Sequence, residues 1–386
     1  MGSKIVRVPV NPQMMRWARE RGGVDIAALE KAFPRLEAWE RGDVLPTLKQ
    51  LERFAKVVRV PFGFLFLDSP PDEPLPIPDF RTMSALRLKH PSPDLLDTIY
   101  LCQQRQEWYR SYAQALGEKP LPFVGSASLQ DDVVLVAAGM RRELRLDIEE
   151  RRKLATWTEA LRRFVERAEM AGLLVMVSGI VGNNTHRTLD PEEFRGFALV
   201  DDLAPLIFVN AADTKSGQMF TLAHELAHIW LGESGVSDAQ ITTHTDEKIE
   251  RWCNQVAAEV LVPLEVLKET YRPEISLSQE MGRLARMFKV STLVILRRFY
   301  DAGVLNEERF WQAYREERER LRQFEGRGGT GGDFYRTLNV RVSKRFAQAA
   351  VVSTLEGQTL FRDAFQMLGI HKQETFDKFV ETLGMA

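Results

Sequence analysis

The chain has 386 residues, 44% of them hydrophobic, and its 52 Lys and Arg nearly balance 54 Asp and Glu for a net charge of −2. That length suits about two or three domains with buried cores, and the charge balance excludes a uniformly basic nucleic-acid coat, although one face can still be basic. Cys102 and Cys253 do not make a disulfide framework, and no signal peptide or run of about 18 apolar residues appears, so a cytoplasmic protein with no membrane span is expected.

The elements expected along the chain are mostly helices with a small β-sheet, an α+β class. Residues 1–68 read as a helical unit. Pro12 to Arg21 is the first helix, with Met15, Trp17 and Ala18 on its apolar side. Asp25 caps a second, Ile26 to Phe33. Trp39-Glu40-Arg41-Gly42, Pro46-Thr47-Leu48 and Leu51-Glu52 follow. This run resembles the Xre-type helix-turn-helix domain, in which W-E-x-G closes the recognition helix and P-T begins the next. Twelve Lys and Arg against eight Asp and Glu over residues 1–68 suit phosphate contacts. The spacing from Leu29 to Trp39 is about four residues shorter than the family pattern, and Pro34 falls where the recognition helix should begin. That segment offers Arg35 and Arg41 as candidate DNA contacts and no Asn or Gln for adenine, so weak DNA binding is expected, with dimer or partner contacts as the other use of the unit.

Residues 69–90 form a Pro-rich linker, Ser69-Pro70-Pro71 through Pro74, Pro76 and Pro78 to Asp79-Phe80-Arg81-Thr82, which favours an extended, semi-rigid chain. Phe80 and Arg81 are expected to dock it onto the body, the alternative being a plain spacer. Residues 91–272 form the next domain. A long amphipathic helix, Leu95 to Leu116, opens it, with aromatics at helical spacing that suit a core. Two helices, Asp131 to Leu144 and Asp147 to Ala171, and three short strands follow, at Leu173 to Val177, Gly196 to Val200 and Pro205 to Asn210.

Thr221 to Trp230 holds the chemistry. His224-Glu225-Leu226-Ala227-His228 is an HExxH arrangement with apolar flanks. On a helix, residues four apart share a face, so His224 and His228 can point at one Zn²⁺. Glu225 sits beside that point, where it can take the proton of an attacking water. A third ligand is expected from the next helix, about Asp246 to Val262. Glu250 and Glu259, nine apart, face opposite ways at about 100° per residue. Glu250 shares its face with Asn254 and the small pair Ala257 and Ala258, which lets two helices approach closely. It is the expected ligand, with Glu247 in reserve. His244 and Tyr271 are candidate transition-state donors, although His244 also reads as a loop histidine or a ligand.

The HExxH run, then Glu250-x-x-Cys253-Asn254-x-Val256-Ala257-Ala258 and Leu261-Val262-Pro263, resembles the ImmA/IrrE family of zinc metallopeptidases, with Cys253 and Val256 replacing Ala and Phe in the family pattern. The linker run also resembles that of Xre–ImmA/IrrE fusions. The resemblance implies a zincin-like fold, a Zn²⁺ cofactor, and a strand beside the HExxH helix that pairs with the substrate backbone, for which Leu206 to Val209 is the candidate. It also implies a protein substrate, often a helix-turn-helix regulator or a partner in a stress response or toxin–antitoxin module. The alternative it implies is a DNA-binding regulator or antitoxin. A purely structural zinc site is disfavoured, since such sites close with four protein ligands and need no Glu225.

Residues 273–325 read as a helical extension in which Leu284-Ala285-x-x-Phe288-x-Val290-Ser291 resembles a second helix-turn-helix, with Arg297 and Arg298 expected on solvated surface and phosphate contact as the alternative. Gly326 to Gly332 is a flexible linker without the Gly-Lys-Ser/Thr ending of a phosphate loop. Residues 333–386 form a C-terminal helical tail. A homodimer is a possible assembly.

Overall fold

The computed structural model describes residues 6–80, 91–237, 248–322 and 334–385. Most of these are helical, around one small mixed sheet, as the sequence suggests. They divide into two units, one of residues 6–76 with 91–97 and one of residues 77–80 with 98–385.

The first unit contains α1 (Pro12–Gly22), α2 (Ile26–Ala32), α3 (Leu36–Arg41), α4 (Leu48–Val57) and a 3₁₀ turn, Phe62–Phe66. Asn11, Asp25 and Thr47 cap α1, α2 and α4 with their side chains, and Thr47 and Gln50 form a reciprocal capping box. The core gathers Leu29, Phe33, Trp39, Leu51 and Phe54, with Phe33 and Trp39 edge-on to Phe54. Pro34 holds back the start of α3, which has six residues and stops on Gly42 at φ 80°. It is less than two turns long. Arg35 is exposed at its N-cap position. Arg41 is tied to Glu37 and Asp43, at 2.9 Å each.

In chain order there follow α5 (Pro93–Ala115), α6 (Val133–Glu143), α7 (Ile148–Lys153), α8 (Trp157–Met170), β1 (Leu174–Ser178), β2 (Gly196–Leu199), β3 (Leu206–Asn210), α9 (Lys215–Leu231), β4 (Gly235–Ser237) and α10 (Lys248–Leu261). Then come α11 (Leu264–Thr270), α12 (Leu277–Phe288), α13 (Thr292–Asp301), α14 (Glu307–Arg322), α15 (Phe334–Arg341), α16 (Lys344–Leu355), α17 (Phe361–Leu368) and α18 (Gln373–Thr382). The single helix expected over Asp147 to Ala171 is two helices, α7 and α8. The chain is extended at Leu154, and Thr156 opens α8 with a capping box to Glu159, a stronger start signal than the apolar periodicity running through it.

The sheet order is β1-β3-β2-β4, with β1 parallel to β3 and the other pairs antiparallel. β3 is therefore hydrogen-bonded on both sides and has no free edge for a substrate backbone. This corrects the assignment of Leu206 to Val209 to that role, and β4 is the edge beside β2. Alternation divides the strands between two layers. Val175, Val177, Ala198, Ile207 and Val209 join the core that holds α8, α9 and α10. On the other face Phe197 stacks on Phe208, β1 packs against α15 and α16, and α5 sends Gln106 Nε2 to the carbonyls of Leu199 and Ala204 at 2.8 and 2.9 Å. Arg105 Nε donates to the Met367 carbonyl at 3.0 Å, tying α5 to the C-terminal helices.

The main core is continuous from Phe123 through α9 and α10 to Phe288, Phe299 and Tyr314, so α12 to α14 belong to the same apolar cluster as the HExxH helix. Between α12 and α13 the chain turns at Lys289, φ 56°, and Ser291 caps α13. Arg297 and Arg298 do not lie on solvated surface. Arg297 Nε is 2.8 Å from Asp301, and Arg298 is 3% exposed and paired with the equally buried Glu259. Three guanidiniums meet the carbonyl end of α10. Arg141 reaches Glu259, Arg151 reaches Leu261, and Arg298 reaches Val262. They satisfy carbonyls that the helix cannot, and their charge opposes its dipole favourably.

Candidate metal centre

α9 is buried along nearly its whole length, from Gln218 to Trp230. Thr214 caps its start, and Gly232 ends it at φ 79°. Gly196 of β2 lies under its middle. A Cβ there would fall 2.6 Å from Thr221 Cγ2, 2.8 Å from the Phe208 carbonyl and 2.9 Å from Glu225 Oε1. The sheet can thus approach the helix only where a side chain is missing. Gly196→Ala is expected to displace Glu225 and lower any hydrolytic rate at least tenfold while the apolar core still folds, a split that kinetics and thermal melting of one sample would resolve.

His224, His228 and Glu250 converge, with one ligand atom from each within 4.8 Å of the others. His228 Nε2 is 3.1 Å from His224 Nε2 and 3.0 Å from Glu250 Oε1, and His224 Nε2 is 3.3 Å from Glu250 Oε2. α10 brings Glu250 here from its first turn because Cys253, Ala257 and Ala258 allow close packing on α9. Glu259, two and a half turns on, points away to Arg298 and to the backbone N–H of Leu264. Asn254 Oδ1 lies 3.0 Å from His224 Nδ1. An acceptor at that position fixes the proton on Nδ1 and leaves the Nε2 lone pair facing the cluster.

The donor set fits a divalent cation. Two imidazole nitrogens and a carboxylate, all buried, aim at one another with too few protons to bond every pair. A zinc ion suits this ligand chemistry, with two His nitrogens and one carboxylate leaving a position open. Glu225 is placed beside the cluster. Ser237 Oγ of β4 donates to Glu225 Oε1, and Glu225 Oε2 is buried without a hydrogen-bond partner among the described residues. In metal-free protein, burial pushes the Glu225 carboxyl up to about 8, partly offset by His224 and the Ser237 hydroxyl. Burial would also raise Glu250, but the two imidazoles hold it down at about 2. Burial works to lower both imidazoles. In His224 the Glu250 carboxylate overcomes it and raises the pKa, whereas His228 stays below its ordinary value.

Tyr271 packs edge-on against Phe299 at 5.3 Å, as part of the apolar contact of α11 with α13. His244 and Glu247 lie outside the described residues. Sequence reasoning missed the orienting bond of Asn254 and the Ser237 hydroxyl. Asn254 carried a signal, since it lies four residues after Glu250 on the same helical face. Ser237 carried none, because a three-residue edge strand has no readable period.

Residues 168–300 match the model of the IrrE N-terminal-like domain, a peptidase family, and residues 342–382 match a domain of unknown function, DUF8813. The chain is similar to the radiation response metalloprotease IrrE of Deinococcus radiodurans, 34% identical over 91 residues, which are 22% of this chain and 28% of that protein. The match thus spans little more than a quarter of the relative's length. Residues 168–300 are thus similar to an IrrE-like peptidase domain, and they contain all of α9, β4 and α10. Among the described residues no helix is long and apolar enough to cross a membrane.

Proposed function

We propose that the protein is a zinc-dependent endopeptidase that cuts a specific protein, with a helix-turn-helix regulator or a partner in a stress-response or toxin–antitoxin module as the substrate class. The observation that carries this reading is the convergence of His224, His228 and Glu250 with Glu225 held beside them by Ser237. His224, His228 and Glu250 would hold the ion. When bound, a zinc ion in such a site polarises a carbonyl and acidifies water. Glu225 accepts the proton of the attacking water at its carboxylate and returns it to the amine nitrogen that leaves. Asn254 keeps His224 in the ligating tautomer, and the apolar surround of α9 keeps bulk water from competing.

Metal analysis tests the ligand set. Glu250→Ala is expected to lose most bound zinc, whereas Glu259→Gln keeps it, since Glu259 serves Arg298 instead. Equal zinc loss in the two variants, or loss only in Glu259→Gln, would overturn the assignment.

The first unit is proposed to add weak, sequence-independent DNA contact. The short α3 and the engagement of Arg41 with Glu37 and Asp43 leave little for base readout. Full-length protein is expected to bind duplex DNA with a Kd in the non-specific range of about 10⁻⁴–10⁻⁶ M, weakening steeply with salt. A nanomolar footprint would favour the regulator reading over the peptidase one.

A further inference from the structure

His224, Glu225 and His228 are each 0% exposed, so a substrate needs a way in. Part of what lies over them is the chain's own linker. Pro78 and Phe80 straddle Val236 of β4, with the Val236 N–H donating to the Pro78 carbonyl and the Phe80 N–H to the Val236 carbonyl, both at 2.9 Å. Asp79 pairs with Val236 in parallel sense, so the segment adds a short fifth strand to the sheet edge. The Phe80 ring lies flat on the imidazole of His228, with centroids 5.5 Å apart and planes 11° from parallel. Gly235 makes room for it. A Cβ there would sit 2.2 and 2.3 Å from two Phe80 ring carbons and 3.1 Å from the Pro78 carbonyl.

The seat is built, and two backbone bonds pair its occupant with β4. Pro78 has no N–H with which to extend the ladder toward Ser234, so pairing at this end stops after those two bonds. We propose that the β4 edge, Gly235 and the face of His228 form a subsite for an extended peptide carrying an aromatic side chain, that Pro78–Phe80 fills this subsite in cis, and that a substrate enters by displacing it. The inference rests on the reading of the site as a peptidase centre. It adds a specificity, an aromatic residue one strand-width from β4, and a competitor built into the chain.

The test uses zinc-loaded full-length protein and a fluorescein-labelled peptide with the sequence of residues 74–80, Pro-Leu-Pro-Ile-Pro-Asp-Phe. Phe80→Ala is expected to bind this peptide at least tenfold tighter than wild type, and a peptide ending in Ala at least tenfold more weakly than one ending in Phe. Phe80→Ala is also expected to surrender zinc to dipicolinate at least tenfold faster than wild type, with the Phe peptide slowing that loss again. Gly235→Val, which fills the ring's seat, should release zinc as fast as Phe80→Ala and gain no protection from the peptide. Equal peptide binding by wild type and Phe80→Ala, or zinc release unchanged in both variants, overturns the subsite. The underlying peptidase reading fails separately, through wild-type protein that takes up no zinc at all.

Discussion

Glu225→Gln is expected to keep zinc and lose about 10²–10⁴-fold in peptide hydrolysis, the usual contribution of a positioned general base. Gln preserves the shape and the bond from Ser237, which donates to Glu225 Oε1 and finds an amide oxygen in the variant. It cannot accept a proton. Zinc content near wild type together with a wild-type rate would end the general-base assignment. The same variant has a second signature in metal-free protein. The folded Glu225 carboxyl titrates near 8 against an ordinary value of 4.5. Its folded pKa is raised, so wild type is fully stable below the unfolded pKa and loses stability as pH climbs from about 4.5 through 8. Each unit of such a shift is worth about 1.4 kcal/mol. Gln does not titrate, so metal-free Glu225→Gln should exceed wild type in stability by a few kcal/mol at pH 9 and by little at pH 4. Urea unfolding at the two pH values reads this directly. An advantage that does not grow with pH would show that burial does not govern this carboxyl.

Arg298→Ala is expected to have the largest effect on stability, about 3–5 kcal/mol, because it leaves the Glu259 carboxylate buried and unpaired. It also removes a donor from the Val262 carbonyl at the end of α10. Arg298→Met combined with Glu259→Leu should recover most of the loss, since two apolar side chains need no partner. Chemical denaturation of wild type, Arg298→Met, Glu259→Leu and the double variant makes a double-mutant cycle. Additive losses in the double variant would mean that the two groups do not act as a pair.

The sequence made the metal-binding face legible because that face is local. His224 and His228 are one helical turn apart, and the opposite directions of Glu250 and Glu259 follow from helix geometry alone. Where the partner lies far along the chain, the reading failed. Arg298 looks like any exposed arginine until α10 places Glu259 beside it, 39 residues away. Leu206 to Val209 looks like any apolar strand, and its central position depends on β1 and β2 flanking it, which strand composition does not encode. The break between α7 and α8 was readable in principle, since Thr156 and Glu159 have capping-box spacing, but the apolar period through the break outweighed it. Phe80 was expected to dock. Its seat on His228 was not readable, because it depends on a glycine more than 150 residues away.

The bond from Arg105 to the Met367 carbonyl joins positions 262 residues apart. On a ribosome, where synthesis runs from the N-terminus, α9 and α10 emerge and can meet while the partner of Arg105 is still unmade. One face of the sheet can therefore be built early, whereas the other, where β1 packs against α15 and α16, waits until those helices have been made. Pairings so distant in sequence close slowly. A nascent chain stalled before α15 would leave β1 without the helices that pack against it, so α15 and α16 set when that strand is covered.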